Sequence, residues 1–211
     1  IEGGELFRDL LLKFRKNSYN INIETLNAAD YGAPTRRKRL FIVGMKSTEG
    51  FLFPEATHYD PRKIDLFGSG KSFRTVREAI GDLPSPTING PDSPQSHIMI
   101  KHTEKVRNRF SKLKLGELDP IRKRVRLDWD SQSPSLIAGN LNGIRSHIHP
   151  SEPRELTNRE SARIQGFPDD FHFAGNHAAV GKQIANSVPI ALGCAIAQAV
   201  YKQLKSSENS K

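Results

Sequence analysis

Arg37 and Arg39 stand two residues apart in the run T-R-R-K-R, just before the apolar stretch Leu40–Gly44. In an extended segment alternate side chains share a face, so both guanidinium groups can enter one cleft. A planar guanidinium presents several directed donors, which suits phosphate and carbonyl oxygens. The competing reading is a solvated basic loop. A second concentration of cations runs from Lys101 to Leu127, where ten Lys and Arg face three acids. Lys101, Lys105, Arg107, Arg109, Arg122, Lys123, Arg124 and Arg126 are its candidates for phosphate contacts. This stretch holds most of the chain's formal charge of +9, a balance that favours a polyanionic partner. Asn186 and Ser187, shortly before Pro189, read as a helix start, where unpaired backbone N–H groups offer contacts to a ligand.

Other reactive types are sparse. Cys194 is the single cysteine, which excludes an internal disulfide and a paired-cysteine metal site. It lies between Gly193 and Ala195 on a predicted helix, so a buried, inert packing thiol is expected. His147 and His149 in S-H-I-H-P are of metal-ligand type, but no further His or Cys cluster stands at suitable spacing. A loop is expected there, and no metal site.

The elements that must position these groups follow from periodicity. Leu6, Phe7, Leu10, Leu11 and Phe14 fall on one helical face, with Lys13, Arg15 and Lys16 near the end that favours cations. Tyr19, Ile21 and Ile23 alternate with polar residues and predict a half-buried strand. Residues 27–34 read as a loop. Leu40–Gly44 is continuous and apolar, which predicts a strand covered on both faces. Met45–Pro150 is rich in Pro, Gly and Ser, with short helices expected over Phe73–Leu83 and around Val106, Phe110 and Leu113. Ser85–Gln95 reads as a Pro-rich linker. Thr157-Asn158-Arg159-Glu160 has capping-box form and Gly166 should stop that helix. Val188, Leu192, Ala195, Ile196, Ala199 and Val200 predict a final helix, followed by a frayed polar tail from Ser206. With 36% hydrophobic residues, a core of modest size can form. No apolar run reaches membrane-spanning length and no secretory signal is visible, so a cytoplasmic location is expected.

R-E-L-T-N-R-E-S-A-R-I-Q-G-F-P-D-D-F from Arg154 to Phe171 and V-G-K-Q-I-A-N-S-V-P from Val180 to Pro189 together resemble the last two conserved blocks of the cytosine-5 DNA methyltransferases. Asp30–Arg39 resembles a third block, Y-G-x-P-Q-x-R-x-R before a strand, in the right order. Two departures stand out: Thr35 where glutamine is usual, and Ala185 where glycine is frequent. The resemblance implies an α/β fold. It would comprise the C-terminal part of a Rossmann-like S-adenosylmethionine-dependent methyltransferase sheet and a small, irregular α+β target-recognition domain. Expected boundaries are 1–46 for the catalytic-domain strands, 47–175 for target recognition and 176–211 for a helix returning to the catalytic domain. It further implies that Arg37 and Arg39 hold the DNA backbone, with Arg39 at the O2 of the target cytosine. Asn186 and Ser187 would contact S-adenosyl-L-methionine, and double-stranded DNA would be the partner. Arg159, Glu160 and Arg163 would tie the recognition region to the sheet. A bacterial, nucleoid-associated restriction–modification enzyme is the implied setting.

The family's Pro-Cys nucleophile, Glu-Asn-Val segment and F-x-G-x-G cofactor turn have no counterpart in these 211 residues. All three lie upstream of the blocks found, and the chain opens on Ile1. An N-terminal catalytic half or subunit is therefore expected to supply the thiol and most of the cofactor site. The alternative is a catalytically inactive DNA-binding remnant.

Overall fold

The computed structural model describes residues 3–46, 50–61, 70–86, 95–138 and 144–209. Most of the Pro-rich linker lies outside these residues, as does the end of the tail.

Helix α1 (Gly3–Lys16) leads into a hairpin-like ladder of β1 (Asn20–Asn27) and β3 (Lys38–Met45), antiparallel from Asn20 opposite Met45 to Asn27 opposite Lys38. The short strand β2 (Thr35–Arg36) precedes β3. The expectation of a strand covered on both faces is not met for β3. Leu40 is 55% exposed, and Ile42 and its partner Ile23 are exposed beside it. The ladder has only two strands, so one apolar face has no covering element among the described residues. Helix α1 repeats the pattern: Leu6, Leu10 and Phe14 of its predicted apolar face are exposed, while Phe7 and Leu11 are half-buried.

The loop expected over residues 27–34 is instead a buried 3-10 turn, Ala28–Tyr31, closed by Gly32 at φ 92°. A side chain at Gly32 would also collide with the ring of His58, whose Cε1 lies 2.7 Å from an added Cβ. Leu26, Ala28, Tyr31 and Ala33 form a small core with Leu192 of α6 (Ile190–Asn209).

The larger core sits in the middle of the chain. It joins α2 (Val76–Ile80), Leu127, Leu136, α4 (Asn158–Ile164), Phe173 and α5 (His177–Asn186). Around it run short strands: β4 (His58–Tyr59) with β5 (Lys71–Ser72), β2 with β6 (Ser133–Pro134), and β7 (Ile137–Ala138) with β8 (Ile144–Arg145). A third cluster packs Phe110 of α3 (Glu104–Ser111) and Leu113 on Ile148. Helix α2 is shorter than the predicted Phe73–Leu83, because Thr75 caps it with Glu78 in box geometry and it closes at Gly81.

Helix α4 begins as its sequence requires. Glu160 N donates to Thr157 Oγ1 at 3.1 Å and Thr157 N donates to Glu160 Oε2 at 2.7 Å. The same Glu160 carboxylate takes both Nη groups of Arg154 at 2.9 and 2.8 Å, all but excluded from water. Arg159 is fully buried and donates to the carbonyls of Gln95, Pro168 and Phe171. Arg163 binds Asp169 and Asp82. The partners named here for Arg159, Glu160 and Arg163 lie within residues 82–171, not on the β1–β3 ladder as expected.

The end of the chain also departs from expectation. Asn186 and Ser187 do not begin a helix: α5 ends at Asn186, and α6 starts at Ile190 after Pro189. Ser187 adopts an extended ψ of 154° and Pro189 disfavours helix in the residue before it. The stretch expected as one returning helix is thus two, turned by 45°, and they serve different cores: Val180, Ile184 and Ala185 the larger, Leu192 the smaller. Helix α6 runs on to Asn209, through most of the tail expected to fray. Among the described residues no single helix is long and apolar enough to cross a membrane.

The two layers of the α4 start should separate on mutation. Thr157→Ala removes one cap and should cost about 1 kcal/mol. Glu160→Gln leaves the buried Arg154 without its main counter-charge and should cost roughly 3–5 kcal/mol. Urea denaturation reads both; equal losses would mean that the buried ion pair adds nothing beyond the cap.

Candidate functional site

The arginine block is built on a strand pairing that spans about half the chain. Thr35 lies opposite Ser133 and is fully buried, donating its hydroxyl to Ser133 O at 3.1 Å. Ser133 N returns a bond to Pro34 O at 2.9 Å. The backbone then bends, with Arg37 N donating to Thr35 O at 3.1 Å, and this kink between β2 and β3 breaks the simple alternation of side chains. Arg37 turns inward and is only 2% exposed. Its Nη1 donates to Leu136 O at 2.9 Å and its Nη2 to Ala185 O at 2.7 Å. Burial, reinforced by the nearby charge of Arg39, pushes its pKa down to about 10, so it remains a cation at neutral pH. Arg39 stays half-buried at the surface and donates to the carbonyl of Lys38 at 2.6 Å. The two arginines therefore do not open on one cleft as the extended-chain reading supposed. Arg37 is a bolt and Arg39 is the accessible group.

The bolt reaches the second candidate pair. Ala185, whose carbonyl Arg37 holds, immediately precedes Asn186 and Ser187. Ser187 Oγ donates back to Ile184 O at 2.8 Å, while the Asn186 side chain is exposed at the last residue of α5. Arginine block, Leu136 strand and the α5–α6 junction are thus tied at one point, though they are about 100 and 150 residues apart in sequence.

The eight candidate cations of the basic segment fall into two groups. Arg109 binds the buried Asp119 at 2.6 Å. Arg122 reaches Glu155 at 3.3 Å, and Arg124 also pairs with that carboxylate. Arg126 donates to the carbonyls of Pro150 and Leu113 at 3.0 and 2.9 Å. These four brace the loops around Ile148. Lys101, Lys105, Arg107 and Lys123 are exposed, and none has a carboxylate partner among the described residues. Lys101 and Arg107 border a cavity of about 250 Å³ together with His102 and Pro153.

His147 and His149 lie in a loop, as expected, and are buried there. The backbone N–H groups of Ser151 and Glu152 donate to His149 Nδ1 at 3.2 and 3.1 Å, and the His147 Nε2 lies 3.3 Å from Pro134 O. Among the described residues no three His, Cys, Asp or Glu side chains gather as a metal site would need. Cys194 is exposed, not buried as expected, because it faces the groove between α6 and the Leu52–Thr57 loop rather than the core under Leu192. Sequence reasoning missed Arg36, which Gln132 holds from 96 residues away; no local signal announces such a contact.

The pattern that defines the C-5 cytosine-specific DNA methylases matches residues 2–202, and the chain belongs to that family. It is 34% identical over 203 residues to a putative type II methyltransferase of Methanocaldococcus jannaschii, covering 95% of this chain and 57% of that protein. It is 31% identical over 210 residues to a type II methyltransferase of Haemophilus parahaemolyticus, covering 94% of this chain and 52% of that one. The chain thus spans little more than half the length of these relatives. Among solved structures, a putative DNA modification methyltransferase encoded within an E. coli prophage superposes with TM-score 0.70 at 26% identity, over 94% of this chain and 64% of that chain. The Dnmt2 methyltransferase of S. pombe shares the fold, with TM-score 0.57 at 14% identity over 97% of this chain and 64% of its own.

The histidines set an acid limit on this region. His102 accepts a bond from Glu155 N at 3.2 Å; burial, then the charges of Arg122, Arg124, Arg107 and Arg154, push its pKa down to about 4. Burial also lowers His147, His149 and His177. A depressed histidine stabilises the fold above the unfolded pKa near 6.5, and that stability is lost as pH falls toward the folded value. Urea midpoints should therefore drop from pH 7 to pH 4.5, and His102→Gln should flatten part of the decline. A profile unchanged by that substitution would show that the shift at His102 has no energetic consequence.

Proposed function

We propose that these 211 residues supply the target-recognition and base-pocket part of a DNA (cytosine-5) methyltransferase of the restriction–modification kind. The chain would correspond to the C-terminal part of that enzyme. The nucleophilic cysteine, the glutamate at the base and the glycine-rich cofactor turn come from a segment outside these residues. The observation that carries the reading is the bolt: Arg37 spends its own donors on Leu136 and Ala185, and so presents Arg39 and Asn186 in fixed relation with their side chains open.

The chemistry asks for this division. Cytosine C5 is a weak nucleophile until a thiolate adds to C6, which places negative charge on the ring. A guanidinium donating to O2 stabilises that charge as it develops, and Arg39 has the exposure to do so. The base reaches such a pocket only after leaving the duplex. S-adenosyl-L-methionine supplies the methyl group when bound. Asn186 fits a part in its site, because its amide has no partner among the described residues and the carbonyl before it is pinned. The exposed apolar faces of α1 and of the β1–β3 ladder, with Leu6, Leu10, Ile23, Leu40 and Ile42, fit the surface that the catalytic segment would cover. The target-recognition part would run over 47–175, with 1–46 and α6 on the catalytic side.

The duplex would be held by Lys101, Lys105, Arg107 and Lys123, the four of the eight candidates that have no carboxylate partner among the described residues. Removal of any one should lower the slope of log affinity against log salt by about 0.9. Arg109→Gln or Arg126→Gln should lower stability instead and leave the slope alone. Slopes that fall equally for all eight cations would refute the division.

The decisive assay is transfer of labelled methyl from S-adenosyl-L-methionine to DNA, with the chain alone and with a polypeptide carrying the Pro-Cys and Glu-Asn-Val segments. Activity should appear only in the mixture, and Arg39→Ala should reduce it about 100-fold or more without changing the melting temperature. DNA binding with no methyl transfer in either case would favour the inactive remnant. An Arg39→Ala mixture as active as the wild type would remove Arg39 from the base pocket.

A further inference from the structure

Outside the groups so far assigned, the structure gathers a second cationic surface against the arginine block. Arg36 is exposed, next to the bolt, on strand β2. Its Nε and Nη2 both donate to Gln132 Oε1, at 3.3 and 3.2 Å. The same glutamine amide donates to the carbonyl of Arg74 at 3.5 Å. The backbone around it is fixed from both sides, since Ser135 Oγ donates to Arg36 O at 3.0 Å and Ser133 N to Pro34 O at 2.9 Å. Lys71 lies beside His58 in the parallel β4–β5 pair, and His58 packs on Gly32 of the same block. Burial, then the nearby charges of Lys71 and Arg74, hold His58 below its ordinary range against the opposing charge of Glu78.

The partner of Arg36 is the informative feature. Arg109, Arg154 and Arg163 are fixed by carboxylates, which cancel their charge as they orient it. Gln132 is neutral. It orients Arg36 without reducing its charge, and the remaining guanidinium donor capacity faces solvent. Neither Arg36 nor Lys71 nor Arg74 has a carboxylate partner among the described residues. A bare surface arginine is mobile and loses freedom on binding a ligand; one already held loses less.

We infer that Arg36, preset by Gln132 with Arg74 beside that glutamine, is a phosphate-contacting surface for the DNA backbone, in addition to the Lys101–Lys123 region. The inference rests on duplex DNA being the partner. It gives the duplex two anchors, one at the arginine block and one at the outlying basic segment, so that the target base is held between them. Phosphate contacts of this kind set register and carry no sequence information.

Fluorescence anisotropy with a short duplex, across a salt series, tests this on the full chain. Three variants each lower the net charge by one: Arg36→Gln, Gln132→Glu and, as a control on a remote exposed face, Lys16→Gln. The first two should weaken binding several-fold and lower the salt slope by about 0.9, while Lys16→Gln changes neither. Gln132→Glu is the sharper variant, because it leaves Arg36 in place and cancels its charge. Melting temperatures should be unchanged within a few degrees. Equal losses in all three would reduce the effect to net charge, and no loss at Arg36 and Gln132 would remove the anchor; either result overturns the inference while the DNA reading stands. A wild-type chain that fails to bind duplex would overturn both.

Discussion

A single buried guanidinium holds the candidate site together. Arg37 sits out of water with two backbone carbonyls as its acceptors, one from Leu136 and one from Ala185. Among the described residues no carboxylate balances it, and its Nε has no partner. Removing a cation from water is costly, which is why its pKa is driven down even though it stays charged. The rigid plane of the guanidinium sets its donors apart at fixed angles, which suits a bridge between two carbonyls from different segments; a lysine would present its donors from a single nitrogen on a mobile stem. Without the bridge, the α5–α6 junction and the β2–β3 kink have no shared anchor, and Arg39 and Asn186 lose their fixed relation.

The partner chosen for each arginine decides what that arginine is for. Those bound to carbonyls, Arg37, Arg126 and Arg159, fix the course of the backbone. Those bound to carboxylates, Arg109, Arg154 and Arg163, close ion pairs and carry little net field outward. Among the described residues Arg39 is held only by the neighbouring carbonyl and Arg36 only by an amide, so both keep their charge for something else. Part of the basic composition is thus spent on internal bracing. The field that reaches a polyanion comes from the cations that the fold leaves uncancelled.

The two cores divide the labour differently from the order of the chain. The larger one is complete in itself, with Leu136, Leu156, Ile164 and Ile184 fully or almost fully buried. The smaller one, under Leu26, Tyr31 and Leu192, is flanked by apolar faces that remain open on α1 and β3. The chain spans little more than half of its curated relatives, and those open faces are where the reading of a catalytic segment has its physical footing.

Local signals settled what local forces settle. Thr157 and Glu160 announce a capped helix because both bonds close within one turn, with Glu160 accepting one and donating the other as expected. Spacing marked α6 after Pro189, and the two ordered blocks with the arginine run were enough to place the chain in its family. Long-range forces decided the rest. Alternation along T-R-R-K-R suggested a shared face for Arg37 and Arg39, but a kink pinned by Ser133 sends one inward. The run of cations looked uniform, yet buried Asp119 and Glu155 claim part of it. Cys194 looked like a core thiol until the packing of Leu192 turned it outward. A sequence specifies which groups can hydrogen-bond or carry charge. Which partner each one finds depends on segments brought together from 10 to 148 residues apart, and only the tertiary structure states that.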